Sequence, residues 1–586
     1  MPVARCRSPC GDVESVAVVG EVDDWLAQES IMARATSERM GDRTHTIAAR
    51  SFPWSASVVS TDNVTSRNAR GSALALESLR ERDLLGCTRV RLFALIFAGA
   101  IIGCGGTVVR PDAAVPPQDG STSDAVVDGG PVCTTSSSAM PQATCDFRWG
   151  NGDLQEPQAV ATDSAGDMLI VGGFGGTLTF GPDTIVGPDT SPQMCDPDGC
   201  SDQGFAVLFN ASCEPQWALA FDGGAPYVMA LPGNRFAIAY VSFTDGFWPT
   251  NVVVLDALGH TVWSRQFVGT APNNTIGFTD LSMTSDHGGN IVLAGTLVGT
   301  VDFGGGPLSS GPQLGSELGV LVKLDAAGNF VFNSTFATSA LASFQGWSAI
   351  GPMSVDEAGQ VWLVGTLAPG FGSVDFGGEV FQAADDASDD IWLGYVARLS
   401  TSDGHYLGGV SFDDVRMAGL VSDPCTGRTT VVGWADGGID FGLGPIAGGG
   451  GFVLQLDNHG NAIWNQAAPT TDWSSVAVDG EGNVVAVGSF FAADSSIWAT
   501  DVVLNGYDLS GNTRFSFSWP SMMSFGADSG GASPAAVTVG SDGSIGIVGG
   551  VGSYTTITFG LGLLPEEIDA GAPYGPSTDG FFVRFH

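Results

Sequence analysis

The chain has few positively charged residues. Its 586 residues include 22 Lys and Arg against 62 Asp and Glu, a formal net charge of −40. The whole imbalance lies after residue 103, because residues 104–586 hold 50 acidic and 10 basic side chains. Such an acidic surface repels phosphate backbones and anionic lipid headgroups. The composition therefore argues against nucleic-acid binding and against adsorption to a membrane surface.

Sequence motifs of common catalytic sites are also absent. The chain has no G-x-S-x-G nucleophile elbow, no H-E-x-x-H zinc pair and no phosphate-binding glycine loop. Catalysis requires several groups that converge on one place. The five His residues after residue 103 instead lie in or beside repeated turns or at the C-terminus: His260, His287, His405, His459 and His586. We therefore favour a protein that is not an enzyme.

The apolar segment Leu92–Ile102 has 11 residues, whereas a membrane-spanning helix needs roughly 20. Arg89 and Arg91 precede it, and Gly103 and Cys104 follow it, which is the pattern of a secretory signal. The ending I-I-G-C resembles the lipobox of bacterial lipoproteins. That resemblance implies a signal peptide over 84–103, lipidation of Cys104, and anchoring to the cell envelope of a Gram-negative bacterium, at the outer membrane or cell surface.

Two polar regions flank this signal. Residues 1–83 are rich in Arg, Ser and Thr and carry no copy of the repeat described below. We expect them to be a disordered, over-extended N-terminus, with translation starting near Leu84 to Val90. Residues 104–144 are rich in Pro, Ser, Thr, Asp and Gly, a composition that cannot bury enough apolar surface to fold. They predict a flexible tether ahead of a folded region, 145–586.

Glycine is abundant, with 84 residues, and it recurs in a repeated unit. The clearest copy, Leu281–Phe336, contains four apolar runs separated by Asp/Gly/Asn turns, with a Thr300–Gly304 segment (T-V-D-F-G) between the second and third runs. Each copy predicts four short antiparallel strands. The Gly of the first turn recurs seven times, as Gly166, Gly233, Gly289, Gly359, Gly427, Gly482 and Gly543. Seven stacked sheets predict an all-β fold, a seven-bladed β-propeller of four-stranded blades.

The two ends of the repeat region predict how the ring closes. The last copy stops after its third strand, within Asp579–His586, whereas Cys145–Trp149 precedes the first copy as an unpaired fourth strand. Its C-x-x-x-W spacing matches Cys213–Trp217, which assigns Trp149 to the repeat position of Trp217. We expect Phe147–Trp149 to pair with Phe581–Phe585 and to remove the open sheet edges.

Three recurring patterns, D-x-x-G-N, T-φ-D-F-G (φ, apolar) and L-D-x-x-G-x-x-x-W, carry a family resemblance. Together they resemble the seven-bladed β-propeller (SBBP) repeat proteins over roughly residues 145–586. The resemblance implies a propeller fold and often a surface location, but no shared chemistry. The third pattern is also similar to the repeat of pyrroloquinoline-quinone enzymes and of the propeller lipoprotein in outer-membrane β-barrel assembly.

Two acidic loops are candidate Ca²⁺ sites, because Ca²⁺ takes six to eight oxygen ligands. Neither has the EF-hand spacing, and solvated acidic loops are the favoured interpretation. Their candidate ligands are Asp196, Asp198 and Asp202 in one loop and Asp385, Asp386, Asp389 and Asp390 in the other. No other cofactor is expected, apart from Zn²⁺ bound by cysteines as the alternative to disulfides, which no C-x-x-C spacing supports.

Six Cys residues follow Cys104, and an even number in an exported chain suits disulfides. The candidate pairs are Cys195–Cys200, which would close a short loop, and Cys133–Cys145, which would pin the closing strand. A bond between Cys213 and Cys425 is disfavoured, because they lie in blades one and five.

The sequence favours a monomeric binding or scaffolding platform for a protein or glycan partner at the cell surface. The variable loops 181–204 and 365–393 would carry specificity on a fixed frame. The alternatives are a Ca²⁺-dependent adhesin and an enzyme, quinone-dependent or glycan-cleaving, that uses the central channel.

Overall fold

The computed structural model describes residues 140–150, 154–187, 203–242, 248–269, 278–311, 316–338, 349–369, 372–384, 391–446, 448–491, 500–523, 531–552, 555–562 and 578–586. The proposed N-terminal extension and signal peptide lie outside these residues, as does most of the tether. Every regular element within them is a β-strand. Among the described residues, no helix has the length and apolarity needed to cross a membrane.

Blades one to three follow one another along the chain after a first strand, β1 (Ala143–Trp149). Blade one comprises β2 (Gln155–Thr162), β3 (Met168–Phe174), β6 (Gln203–Phe209) and β7 (Pro215–Asp222), with a hairpin β4–β5 (Thr177–Phe180, Asp183–Val186). Blade two comprises β8 (Gly224–Leu231), β9 (Arg235–Val241), β10 (Thr250–Leu255) and β11 (Thr261–Phe267). Blade three comprises β12 (Phe278–Ser285), β13 (Ile291–Val298), β16 (Glu317–Leu324) and β17 (Phe330–Thr338), with a hairpin β14–β15 (Thr300–Asp302, Pro307–Ser309).

Blades four to six repeat this order. Blade four comprises β18 (Met353–Val355), β19 (Gln360–Leu367), β22 (Leu393–Ser400) and β23 (Tyr406–Asp413), with a hairpin β20–β21 (Ser373–Asp375, Val380–Gln382). Blade five comprises β24 (Val415–Ser422), β25 (Thr429–Ala435), β28 (Gly450–Leu456) and β29 (Ala462–Ala468), with a hairpin β26–β27 (Ile439–Asp440, Pro445–Ile446). Blade six comprises β30 (Thr471–Val478), β31 (Val484–Phe491), β32 (Thr500–Tyr507) and β33 (Thr513–Trp519).

Blade seven confirms the predicted closure of the ring. It comprises β35 (Ala532–Val539), β36 (Ile545–Gly552), β38 (Thr578–Phe585) and β1, and its short β37 (Thr555–Thr556) pairs with β34 (Met522–Met523). Phe147 lies opposite Phe582 and Trp149 opposite Gly580 in an antiparallel ladder, which we call the seam. The first strands of successive blades contact one another around the whole ring, including β35 with β2. The fold is a seven-bladed β-propeller.

The recurring Asp residues build turns. In blade three, Asp286 Oδ1 accepts backbone N–H bonds from Gly288 and Asn290, both at 3.0 Å, and its Oδ2 accepts the Asn290 side-chain amide at 2.8 Å. Asp325 and Asn329 repeat this arrangement in the third-to-fourth strand turn. Asp therefore stabilises the turn through local backbone N–H groups, as its position before a turn Gly predicts.

These turns all lie at one end of the ring, which we call the turn face. There the fourth strand of one blade covers the third-to-fourth strand turn of the next. The Trp263 indole donates to the Ala326 carbonyl at 3.0 Å, and a Cβ added to Gly328 would lie 2.8 Å from the Trp263 ring. Trp217 makes the same contact with blade two, through the Ala257 carbonyl. The L-D-x-x-G-x-x-x-W pattern thus joins neighbouring blades.

The opposite end, the hairpin face, carries the T-φ-D-F-G hairpins. Each hairpin Phe packs against an aromatic residue near the end of the preceding blade's fourth strand, with ring centroids 4.7–5.6 Å apart. The pairs are Phe180–Trp149, Phe303–Phe267, Phe376–Phe336, Phe441–Phe412 and Phe559–Trp519. Blades two and six lack the Phe-Gly segment. The facing positions are Phe221 in blade one, which packs on Tyr240 of blade two instead, and Ala468 in blade five. The hairpins are therefore inter-blade clasps.

Candidate functional site

Most of the predicted site residues lie outside the described residues. These are the lipidation site Cys104, both acidic loops (Asp196, Asp198, Asp202, Asp385, Asp386, Asp389, Asp390) and the cysteines Cys133, Cys195 and Cys200. Within the part of the chain that the structure describes, no three His, Cys, Asp or Glu side chains form a group that could hold a metal ion. The predictions for those loops stay predictions.

The histidines lie in turns, as their spacing predicted. The His260 ring contacts Asp256 at 3.3 Å and the His405 ring contacts Asp403 at 2.6 Å, each within one exposed turn of the turn face. The hydrogen bond from His405 lowers the pKa of Asp403 to about 2. These are local pairs, 2 or 4 residues apart in sequence, and they bring no distant group into reach.

Charged side chains also recur near the start of the first strands, at the hairpin face. Glu156, Arg416 and Asp472 occupy equivalent register positions in blades one, five and six. Burial raises the pKa of Glu156. Burial also raises the pKa of Asp472, with the Arg416 charge opposing the rise. These three side chains therefore bring both charge signs to this end of the first strands.

The interface of blade seven with blade one, which we call the closing junction, contains a disulfide between Cys145 and Cys213. Their Cα atoms are 6.4 Å apart, within the ordinary range for a disulfide. The expected pairing of Cys145 with Cys133 is therefore wrong. β1 belongs to blade seven and faces the third-to-fourth strand turn of blade one. Cys145 therefore lies beside Cys213, which is in that turn. Cys425 is also disulfide-bonded.

The register also corrects the alignment of the closing strand. Cys145 lies opposite Arg584, one residue before the end of the third strand, as Trp263 lies opposite Val254 in blade two. Cys145 therefore occupies the position of the turn-covering aromatic residue, and Trp149 lies four residues further on. The identical C-x-x-x-W spacing at 213–217 concealed this, because there the Cys is a turn residue.

The seam is held by a buried ion pair as well as by its ladder. Arg148 Nε donates to Asp579 Oδ2 at 2.7 Å, and Arg148 Nη1 donates to the Thr555 carbonyl at 2.8 Å. The two charged side chains are only 2% and 5% exposed. Arg584, on the same strand as Asp579, donates to the Gly166 carbonyl of blade one at 2.8 Å. Strands from the two ends of the propeller are thus linked to each other and to blade one.

A cavity of about 200 Å³ opens on the turn face between blades six and seven. No turn joins β38 to β1, because these strands lie at opposite ends of the propeller sequence, so Phe515 of blade six has no turn to cover. The cavity is lined by Pro141, Asp479, Val485, Arg514, Phe515, Val539, Asp542, Gly543, Ile545 and His586. Arg514 lies 3.3 Å from Asp479, so the charges of the lining partly neutralise each other.

Sequence reasoning missed one set of contacts on the turn face. At five junctions, a backbone carbonyl in a third-to-fourth strand turn accepts a hydrogen bond from the preceding blade. The carbonyl belongs to the residue that follows the turn Asp or the residue in its place, and the donor side chain differs from junction to junction. The donors are Trp217 to Ala257, Trp263 to Ala326, Lys323 to Thr401, Arg398 to Asn458 and Arg428 to Leu509. Lys323, the sole Lys of the sequence, replaces the indole N–H that Phe332 lacks. The absence of Trp from blades three and four was the available signal for Lys323 and Arg398, whereas Arg428 donates although blade five has Trp464.

Comparisons with known proteins add little to this geometry. No protein-family model and no curated protein sequence matches the chain. Among solved structures, the Dos1 propeller is 12% identical and covers 76% of this chain and 95% of its own, with a TM-score of 0.32. Chaetomium thermophilum Sqt1 bound to the N-terminus of ribosomal protein L10 is 11% identical, with coverages of 68% and 95% and a TM-score of 0.33. A Synechocystis apocarotenoid oxygenase mutant is 10% identical, with coverages of 65% and 94% and a TM-score of 0.33. The seven-bladed architecture rests on the strand pairing above.

Proposed function

We propose that this chain is an exported lipoprotein of the cell envelope, anchored through Cys104, whose propeller is a rigid binding or scaffolding platform. The observation that carries the platform is the closed ring, in which inter-blade contacts occupy the recurring positions of the repeat on both faces. Those contacts use the repeated Asp, Gly, Trp and Phe residues for structure. Specificity then falls to the connections between second and third strands, which vary in length and composition.

The partner in this proposal is a protein or a glycan at the cell surface. It binds at the hairpin face, because the turns at the turn face are short and most of them share the same Asp/Gly arrangement. The patterns D-x-x-G-N and T-φ-D-F-G support kinship with the SBBP repeat proteins. They assign no chemistry, and the proposal includes no catalytic residue.

The anchor is tested in cells that make the full chain. Cys104→Ala should shift the protein from the membrane fraction to the soluble extracytoplasmic fraction, and labelled fatty acid should be incorporated into the wild type and not into the variant. Incorporation into both proteins, or into neither, would contradict the anchor without affecting the platform.

The platform is tested by crosslinking on intact cells. Residues 385–390 (D-D-A-S-D-D) are replaced by a Gly/Ser segment of equal length, and the matched control is Leu258→Ser with Leu509→Ser in turns of the opposite face. The proposal predicts that neighbours crosslinked to the wild type disappear with the loop replacement and persist with the control. Adding EDTA extends the test, since loss of crosslinks with the chelator would favour a Ca²⁺-dependent adhesin instead.

A further inference from the structure

The Cys145–Cys213 disulfide takes the place of the contact that joins other blades on the turn face. Where the pattern is complete, an aromatic residue lies over a turn Gly with a positive φ, as Trp263 lies over Gly328 (φ 77°). At the closing junction, Cys145 stands at the aromatic position and Cys213 at the Gly position, with a φ of 63°. Both members of the usual contact are therefore replaced, and a covalent bond stands where a ring would cover the turn.

In its thiol form, this junction loses both features of the usual contact. A Cys side chain at 145 is too small to cover the turn as an indole does. Cys213 keeps a left-handed backbone conformation that is unfavourable for any residue with a Cβ. Without the disulfide, the closing junction has neither the aromatic cover nor the Gly that makes the turn easy to form.

The strand that carries Cys145 is also the strand that completes the ring. On one side β1 forms the seam with β38, and its Phe147 and Trp149 pack on Phe209 and Phe180 of blade one. The loop closed by the disulfide spans 68 residues, long enough for the bond to restrict the unfolded chain substantially. The bond therefore fixes the position of β1 on blade one, and β38 then has a complete edge on which to pair.

We propose that oxidation of Cys145 and Cys213 is the step that fixes β1 in the ring, so that stable closure of the propeller depends on an oxidising environment. The two thiols lose two protons and two electrons as the S–S bond forms. An acceptor disulfide, of a thiol oxidoreductase or of a small molecule, takes them up and becomes two thiols. Reducing compartments would hold the chain with β1 loosely attached. This inference rests on the strand geometry and is independent of the lipid anchor at Cys104.

The test compares hydrogen exchange of the β1 amides in the full-length chain, with and without dithiothreitol. In the wild type, reduction should speed exchange across Ala143–Trp149 on the order of 100-fold. The variant with Cys145→Trp and Cys213→Gly restores the aromatic–Gly pair, and its β1 exchange should not respond to the reductant. Both proteins contain the disulfide of Cys425, which the reductant breaks in both, so the difference between them isolates the closing junction. The exchange of Phe330–Thr338, the fourth strand of blade three, serves as the internal reference, because it lies neither at the closing junction nor in the blade of Cys425.

Two outcomes would overturn the proposal. One is β1 exchange in the wild type that is the same with and without the reductant. The other is a restored variant whose β1 responds to the reductant as strongly as the wild type does. If the Trp does not fit and that variant fails to fold, Cys145→Ala with Cys213→Ala replaces it. Its β1 should exchange as fast as that of the reduced wild type under both conditions, and protection equal to the oxidised wild type would contradict the inference.

Discussion

The closing junction and the ordinary junctions meet the same packing requirement with different chemistry. Between blades two and three, an indole covers a turn Gly and donates to the neighbouring carbonyl. Between blades seven and one, a disulfide occupies those positions, and Arg584 donates to the Gly166 carbonyl nearby. The ordinary junctions join blades that are already consecutive in the chain, whereas the closing junction must hold a strand recruited from the other end of the propeller. That added demand accounts for its stronger links.

The largest effect should come from breaking the seam. Asp579→Ala leaves Arg148 buried without its partner, and an uncompensated buried charge costs about 3–5 kcal/mol. Denaturant unfolding measures the change in the free energy of unfolding. The control is Asp436→Ala, because the pair Arg416–Asp436 is 25% and 39% exposed and should contribute less than about 1 kcal/mol. Equal losses in the two variants would show that the seam is not specially stabilised.

The next effect compares two turn glycines. Gly328→Ala should lower the free energy of unfolding by about 2–5 kcal/mol. The left-handed backbone (φ 77°) costs about 1–2 kcal/mol once the residue has a Cβ. The rest comes from crowding, because the added Cβ lies 2.8 Å from the Trp263 ring. At Gly460 (φ 90°) no atom lies within 4 Å of the added Cβ, so Gly460→Ala should show the backbone cost alone. The difference between the two variants, measured by urea unfolding, is the contribution of the covering ring. A difference near zero would mean that the Trp263 side chain moves aside at little energetic cost.

A smaller effect is expected where a side chain substitutes for the missing indole. Arg398 lies over Trp362, 5.5 Å from the ring centroid, and donates to the Asn458 carbonyl at 2.7 Å. Arg398→Met should therefore lower the free energy of unfolding by about 1–2 kcal/mol. Arg235→Met is the control, since Arg235 bonds the Pro232 carbonyl within its own turn and should change stability by less than about 0.5 kcal/mol. A loss at Arg235 as large as that at Arg398 would argue against an inter-blade role.

The smallest effect concerns acid stability. Burial would raise the pKa of Asp286, but hydrogen bonds from Lys323 and Asn290 hold it below its ordinary value of 3.8. A carboxylate with a lowered folded pKa contributes stability that is fully present above its unfolded pKa and lost as the pH falls below about 3.8. Lys323→Met should remove part of this pH-dependent contribution and flatten the acid limb of the stability curve, in addition to a pH-independent loss from its hydrogen bond to the Thr401 carbonyl. An unchanged acid limb would assign the pKa shift to Asn290 alone.

Much of the architecture could be predicted from the sequence because its determinants are local. Turn glycines such as Gly289 need a positive φ, and continuous apolar runs such as Val484–Val487 indicate strands covered on both faces, so the blades could be counted. Pairing of the two ends followed from a missing fourth strand at one end and an extra one at the other.

The details of the closing junction could not be predicted, because they depend on register. Every fourth strand has a bulge at this step, which in β1 falls between Ala143 and Cys145. In the other copies the preceding third-to-fourth strand turn fixes the position of the bulge, whereas no such turn precedes β1. The same Cys-to-Trp spacing therefore arises from two different structural positions. Lys323 was missed for a related reason. It donates from the position opposite Phe332, which stands where other copies have Trp and has no indole N–H.

The aromatic pairs of the hairpin face show that each blade is fitted to the one that follows it. Phe376 of blade four packs on Phe336 of blade three, whereas Ala468 of blade five faces a blade without a hairpin Phe. Deleting blade six would place Ala468 against Phe559 and leave space where Trp519 now packs. A deletion would preserve these pairs only if it included the fourth strand ahead of the removed blade. For the packing of the hairpin face, the matched element is therefore the join between two blades and not the single blade.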